Sequence, residues 1–510
     1  MSQDRQDRRD FTRTVLAGGA AWMFGGGPGC ASSCTADEQL AAARPVHAAP
    51  GNRDGDILRL ARHRLTRGSF AADGRTFREA AREVPVSDSA DVVVCGGGPA
   101  GIAAALAAAR AGAKTRLIEV AGCVGGIWTA GALSLIIDWQ NKTGIMQELA
   151  ARLMRRNAAH RLRSNALVYD PESMKALLEQ MLDEAGVALR LHTRVVAAVV
   201  DDGNRLAAVL TESKSGREAW LGRCFVDCTG DGDVAALAGC PFKLGRPGDG
   251  TTQPMSLMAL LCGPPLDAIA RFVNGVAESR KLGRAKTNLL AEMRRAGVDP
   301  SYGLPTLFCI RDGFYALMAN HQYGVLATDA ADVTRATVEA RREVHRIVAA
   351  LRSLGGCWRS LQLVATAEHI GTREGRRIVG RYRLTMDDLA RGAHFPDAVC
   401  RVTFGIDVHS TDPNKSKGIE AKPVRSKPYD IPLRALIARD VDGLMMAGRC
   451  ISGDFLAHSS YRVTGNAVAM GEAAGRVAAI AARTDRLPHQ IGIDEWKLPE
   501  KQLREERSFE

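Results

Sequence analysis

Residues 92–105 read VVVCGGGPAGIAAA: an unbroken apolar run passes through three glycines into an alanine-rich stretch, and a second apolar run, TRLIEV, follows at 115–120. This pattern predicts a strand, a glycine turn, a helix and a second strand within about thirty residues. DPESMKALLEQMLDEAG, residues 170–186, predicts a helix with Asp170 as N-cap, Pro171 at the first helical position and Gly186 as the stop. VALRLHTRVVAAVVDDGNRLAAVLTES alternates and turns at Asp-Gly-Asn, as a β-meander does. Two later segments repeat the strand-into-glycine theme. FVDCTGDGDVAALAG ends an apolar strand at Thr229, Gly230 and Asp231, and VDGLMMAGRC opens a strand, Gly448 with Arg449, a polar loop and a helix starting near Gly465 and Asn466.

The first glycine turn has the spacing Gly96, Gly98, Gly101, with Pro99 and Ala100 opening the helix and Glu119 closing the second strand. The first glycine allows the tight turn, the second lets backbone approach a pyrophosphate, and the third permits close helix-to-strand packing. Phosphate then sits on the helix N-terminus, where unpaired N–H groups and the helix dipole favour negative charge. Glu119 is placed to accept hydrogen bonds from an adenosine ribose. This is a dinucleotide-binding βαβ unit, and such a unit serves NAD and FAD alike.

The rest of the chain decides for FAD. Gly125, Gly126 and Thr129 follow the ribose-binding strand in a loop suited to pass under a ribityl chain, and Thr229, Gly230 and Asp231 form a second backbone turn that can approach the dinucleotide. The helix opening at Gly465 and Asn466 suits the N1 and C2 oxygen side of an isoalloxazine ring, which gains negative charge on reduction. Together DVVVCGGGPAGIAAA, GGIWTAG, DCTGDGDVAALAG, GTREGRRIVGRYRLT and GLMMAGRCISGDFLAHSSYRVTGNAVAMGEAAG resemble the FAD-dependent oxidoreductase family, on the fumarate reductase and hydroxybenzoate hydroxylase branch of the glutathione-reductase-like flavoproteins. The resemblance spans roughly residues 80–482. It implies an α/β protein, a Rossmann-like FAD-binding domain with an inserted mixed α+β substrate domain. Ile127 and Trp128 stand where glutathione reductase carries its disulfide, so no dithiol relay is expected.

At 510 residues the chain is too long for one core. The expected organisation is an export leader over 1–48, a connector over 49–88, the first part of the FAD domain over 89–240, the inserted domain over 241–430, the second part of the FAD domain over 431–485 and a tail over 486–510. Catalysis is expected between the inserted and FAD-binding parts.

A flavin carries the electron transfer, so the protein need only orient substrate, move protons and stabilise charge. EHIGTREGRR offers His369, Arg373 and Glu374 close together, a composition suited to binding a carboxylate or carbonyl and trading a proton. FLAHSSYRVTGN places His458, Tyr461 and Arg462 ahead of the flavin-facing helix, with His458 read as a proton carrier, a covalent flavin attachment point or an ordinary loop histidine. GIDVHSTD contributes His409 from the inserted region. The catalytic candidates are Arg373, His369, His458 and Arg462. No metal site is expected, because no H-E-x-x-H, paired C-x-x-C or acidic calcium loop occurs. The twelve cysteines fall mostly in apolar runs and read as packing residues.

The net charge of +11 permits anionic partners, but the arginines between 335 and 383 lack interleaved aromatics and accompany no nucleic-acid motif. They read as a solvated basic face, with attraction of an anionic substrate as the second reading. The N-terminus, DRRDFTRTVLAGGAAWMFGGGPG, resembles a twin-arginine export signal, which implies the twin-arginine machinery as a partner and an exported or periplasmic location. Its apolar stretch is too short and interrupted to span a bilayer. The expected activity is hydride removal from a small organic substrate, with electrons passed to a separate acceptor. The alternatives are a flavoprotein lyase, isomerase or hydratase with redox-neutral or structural FAD, and a non-catalytic binding protein that keeps the fold.

Overall fold

The computed structural model describes residues 68–162, 166–276 and 283–497. The chain divides into two units, 1–65 and 66–510, and all the described residues belong to the second. The expected leader, residues 49–67 of the connector and residues 498–510 of the tail lie outside the described residues.

The first sheet contains β1 (Val86–Cys95), β2 (Thr115–Ile118), β3 (Ala188–Arg190), β4 (Arg194–Val200), β5 (Leu206–Ser213), β6 (Gly216–Asp227) and β7 (Leu444–Met446). Its order is β3-β2-β1-β6-β5-β4, with β7 on the last residues of β6. β3, β2, β1, β6 and β7 run parallel, whereas β6, β5 and β4 form an antiparallel meander. The expected meander therefore loses its first strand: β3 joins the parallel edge beside β2. β1 also begins well before the apolar run, because residues 86–90 pair with 219–222 of the long strand β6. Val92, Val93 and Val94 are buried, as continuous apolar residues must be when both faces of a parallel sheet are covered.

Four helices matter for the site: α1 (Pro99–Arg110), α2 (Pro171–Glu184), α3 (Phe455–Tyr461) and α4 (Thr464–Thr484). Asp170 caps α2 by accepting from Glu172 N and Ser173 N, as its sequence predicts. α3 occupies the region expected as a polar loop. Asp454 makes it a helix by accepting from Ala457 N at 2.7 Å, and Phe455, Ala457 and Tyr461 bury its apolar positions. α4 packs directly on α1. A Cβ on Gly471 would lie 2.0 Å from Ala100 O and one on Gly475 2.1 Å from Ala104 O, so only glycine at these two positions lets the backbones meet.

A second sheet is antiparallel throughout, in the order Thr306–Arg311, Phe314–Met318, Ala259–Cys262, Gln362–Thr366. Val344, Ile347, Val348 and Leu351 of helix Ala330–Ser353 share a core with Leu261, Leu307 and Leu317 of this sheet. The molecule is thus a mixed α/β protein with a Rossmann-like sheet and a second, antiparallel sheet. All ten cysteines among the described residues are free, and Cys95, Cys224, Cys228, Cys240, Cys309 and Cys450 are buried. Among the described residues no helix is long and apolar enough to cross a membrane, and no group of three or more His, Cys, Asp or Glu is placed to hold a metal.

Candidate functional site

The site begins at the C-terminal end of β1. Gly96, at φ +96°, turns the chain there, and a Cβ would strike Cys228 O at 2.5 Å and Thr229 N at 2.8 Å. Gly101 is tighter still, with Gly96 O 1.8 Å from a Cβ position, but nothing lies within 4 Å of the Cβ position of Gly98. Packing therefore requires the outer two glycines, whereas the middle one faces open space at the start of α1. That helix has Gly98 as N-cap, Pro99 in its first turn and no side-chain cap, leaving its dipole and first N–H groups available. Glu119 is buried at the end of β2, accepting from Gly97 N at 2.5 Å and Ala121 N at 2.7 Å.

The other glycine segments converge on this turn. A Cβ on Gly126 would lie 3.0 Å from Gly98 Cα, and one on Gly448 3.3 Å from Ala100 Cβ. Gly125 donates its N–H to Gly97 O at 2.7 Å. Thr129 is buried with its hydroxyl donating to Val124 O at 2.6 Å, so it braces the loop. Thr229 donates to Asp227 Oδ1 and accepts from Asp233 N, which shapes the second turn around a buried carboxylate pushed up to about 6 by burial. Gly230 makes room for Arg449, whose Nη2 donates to Asp231 Oδ1 at 2.8 Å. Gly465 lets α4 meet the carbonyls of Ile137 and Asp138, each 2.5 Å from its Cβ position.

Two observations test whether these residues fit a flavin dinucleotide. The first is the bare, uncapped turn at Gly98, a phosphate cradle that a Cβ would fill. The second is a set of buried polar atoms without partners: both amide atoms of Asn466, Gln253 Nε2, Trp128 Nε1, Arg449 Nε, Arg462 Nε and both ring nitrogens of His458. Such orphans are costly unless a ligand satisfies them. The pyrimidine edge of an isoalloxazine carries carbonyl acceptors and an N–H donor, so the residues fit the group.

Beside these orphans lies a connected polar cluster. His409 Nδ1 is 3.1 Å from His321 Nε2, and His321 Nδ1 is 3.1 Å from Tyr323 Oη. At the other end His409 Nε2 lies 3.4 Å from Asp407 Oδ2. Arg462 donates to Asp407 O at 2.9 Å and to Gln253 Oε1 at 3.4 Å, and Gln253 Oε1 also accepts from His409 N. Tyr302 stacks on His321 with centroids 4.1 Å apart. Burial, Arg373 and the neighbouring imidazole hold His321 far below its ordinary range, and burial with Arg373 takes His409 down to about 3. Both rings are neutral at neutral pH. Burial opposes ionisation of Asp407, yet the His409 hydrogen bond and Arg462 keep it ionised well below the usual carboxylate range.

The predicted catalytic residues divide. Arg373 and Arg462 belong to the cluster. His458 is fully buried in α3 with its ring against Tyr461, and burial followed by Arg377 and Arg462 holds it neutral. His369 is exposed, and its backbone N–H donates to Ala130 O at 3.1 Å. The basic stretch divides too: Arg335, Arg342 and Arg346 are exposed as a solvated face requires, but Arg373 and Arg377 are buried. Sequence reasoning missed His321, Asp407, Tyr302, Tyr323 and Gln253. The signal for His321 and Tyr323 was a polar NHQY run, residues 320–323, directly after an apolar strand.

Fold and site together define a flavin-dinucleotide enzyme of the α/β class. The family model for FAD dependent oxidoreductases matches residues 91–499, so the chain belongs to the FAD-dependent oxidoreductase family, and FAD is its cofactor. No curated protein matches the chain. Among solved structures it is similar to a geranylgeranyl bacteriochlorophyll reductase-like protein from Thermoplasma acidophilum, at 12% identity over 83% of this chain and 85% of that one, TM-score 0.42. It is also similar to a flavin-dependent brominase, at 13% identity over 82% and 83% with TM-score 0.40. A myxobacterial chondrochloren halogenase aligns at 13% identity over 82% and 78%, TM-score 0.40.

Proposed function

We propose that this FAD-dependent oxidoreductase removes a hydride from a small organic substrate and that the electrons then pass to a separate acceptor. The observation that supports this reading is the continuous line Tyr323, His321, His409, Asp407 beside the orphaned polar atoms. Asp407 can only accept at neutral pH, which fixes the direction of the line: His409 Nε2–H donates to Asp407 and His321 Nε2–H to His409 Nδ1, leaving His321 Nδ1 as an acceptor 3.1 Å from the Tyr323 hydroxyl, which also reaches Ser301 O at 3.1 Å. Tyr323 is the partly exposed end, whereas His321 and His409 are buried.

When bound, FAD supplies a two-electron acceptor. Oxidising a C–H next to an O–H or N–H releases one hydride and one proton. The proton enters at Tyr323 Oη as the phenol gives its own to His321 Nδ1, His321 passes its Nε2 proton to His409, and His409 holds it as an imidazolium beside Asp407, which stays ionised. Arg462 and Gln253 hold the line in place. Anaerobic mixing of the FAD-loaded protein with a panel of small alcohols, amines and hydroxy acids tests the proposal. Bleaching of the flavin by at least one class is expected. The same acid–base line also favours a rival, redox-neutral proton transfer as in a lyase, isomerase or hydratase; substrate turnover with no bleaching and no acceptor would decide for it. The twin-arginine-like stretch further supports export of the folded protein, and cell fractionation of a strain lacking that pathway tests this.

A further inference from the structure

Every guanidinium around the polar cluster has a carboxylate except one. Arg462 pairs with Asp407 at 3.4 Å, Arg449 with Asp231 at 2.8 Å, and Arg377 with Glu374. Arg373 forms no ion pair among the described residues, although it is only 9% exposed. Its Nη1 donates to Pro254 O at 2.6 Å and to Ser256 Oγ at 2.9 Å, and Nη2 meets the Met318 thioether at 3.7 Å. All three partners are neutral. The Nε–Nη2 edge, the fork that grips a carboxylate, thus has only a weak thioether contact.

The surroundings supply only a distant counter-charge. His321 and His409 are neutral, Arg462 adds repulsion, and Asp407, whose field reaches Arg373, is held by Arg462 and His409 and forms no ion pair with Arg373. Burial followed by Arg462 lowers Arg373 to about 10, which leaves it a cation at neutral pH. A buried cation without a counter-charge is retained where a ligand brings one. The anchors of Arg373 also separate it from the cofactor cradle. Ser256 N donates to Gly371 O beside the arginine, and Met318 ends a strand of the second sheet. None of these anchors belongs to the glycine turns around α1.

We infer that the substrate is a carboxylate whose anionic group seats on the Nε–Nη2 edge of Arg373, next to the Tyr323–His321–His409–Asp407 line. The inference rests on the reading of the site as an oxidoreductase centre and narrows its substrate class. The seat gives Arg373 the neutralising charge that burial demands and turns the reacting carbon of a short acid toward the proton line.

The test uses full-length protein loaded with FAD, with flavin content measured first; a colourless folded protein overturns the reading under Proposed function instead. Acetate, succinate and benzoate, each beside its amide, are titrated while the bound flavin spectrum is recorded. At least one carboxylate should give a saturable perturbation, with its amide weaker on the order of 100-fold. Arg373→Met should abolish that response and Arg373→Lys should retain a weakened one, with thermal unfolding confirming that both variants fold. The comparison of acid with amide needs no variant, so it stands even if Arg373→Met fails to fold. Equal binding of acid and amide, unchanged binding in folded Arg373→Met, or no response to any of the three acids overturns the inference.

Discussion

Around α1 the site is made of backbone, whereas around Arg373 it is made of side chains. At Gly96, Gly101, Gly471 and Gly475 main-chain atoms lie 1.8–2.5 Å from where a Cβ would sit, so those positions exclude side chains. The other region is assembled from Tyr302, His321, Tyr323, Arg373, Asp407, His409 and Arg462, whose value lies in their functional groups. The contrast separates two kinds of damage: a change in the first region breaks the scaffold, and a change in the second leaves a folded protein with altered chemistry.

The largest expected effect follows from Gly101→Ala, which forces a methyl group onto Gly96 O at 1.8 Å. It should destabilise the fold by about 3 kcal/mol, seen as a lowered thermal midpoint and lost flavin. Gly98→Ala sharpens the contrast within one turn. With no neighbour within 4 Å and φ −71°, it should change unfolding by about 1 kcal/mol or less, while weakening FAD retention roughly 10- to 100-fold by filling the phosphate cradle. Equal loss of stability in both variants would break the distinction.

In the side-chain region, His409→Gln should keep the flavin and lower turnover by about 100-fold. It should also flatten the acid limb of stability. Folded His409 takes a proton only near about 3, whereas unfolded histidine takes one near its ordinary 6.5, so stability falls as pH drops through this window. The slope due to that one proton is about 1.4 kcal/mol per pH unit, read from urea unfolding at pH 6 and pH 4. Tyr323→Phe removes the hydroxyl at which the proton enters the line and should lower kcat/KM by a similar factor, on the order of 100-fold. Arg335→Ala, on the exposed face, should move neither stability nor activity beyond about 0.5 kcal/mol.

The same contrast explains what was legible. A glycine turn is a local word, so the segments at 96–101, 125–126, 229–230 and 448 were readable and do meet around α1. The proton line is not local. His321 and His409 meet only because the fold brings their distant segments together, and no spacing rule encodes that. Arg377 read only as part of a solvated basic run because composition cannot tell a buried guanidinium from an exposed one, whereas Arg373 stood out as a binding candidate through its neighbours His369 and Glu374. α3 read as loop because its seven residues are too few to establish a helical period. The meander lost β3 because an alternating run does not reveal which neighbour it will pair with.

The close seating of Gly471 and Gly475 on Ala100 and Ala104 has a consequence for biosynthesis. The cradle at the start of α1 leaves the ribosome early, but its clamping helix is among the last described segments to emerge. Cofactor capture therefore belongs to the end of translation. A polypeptide truncated before residue 464 would carry an intact glycine fingerprint and still fail to retain the dinucleotide.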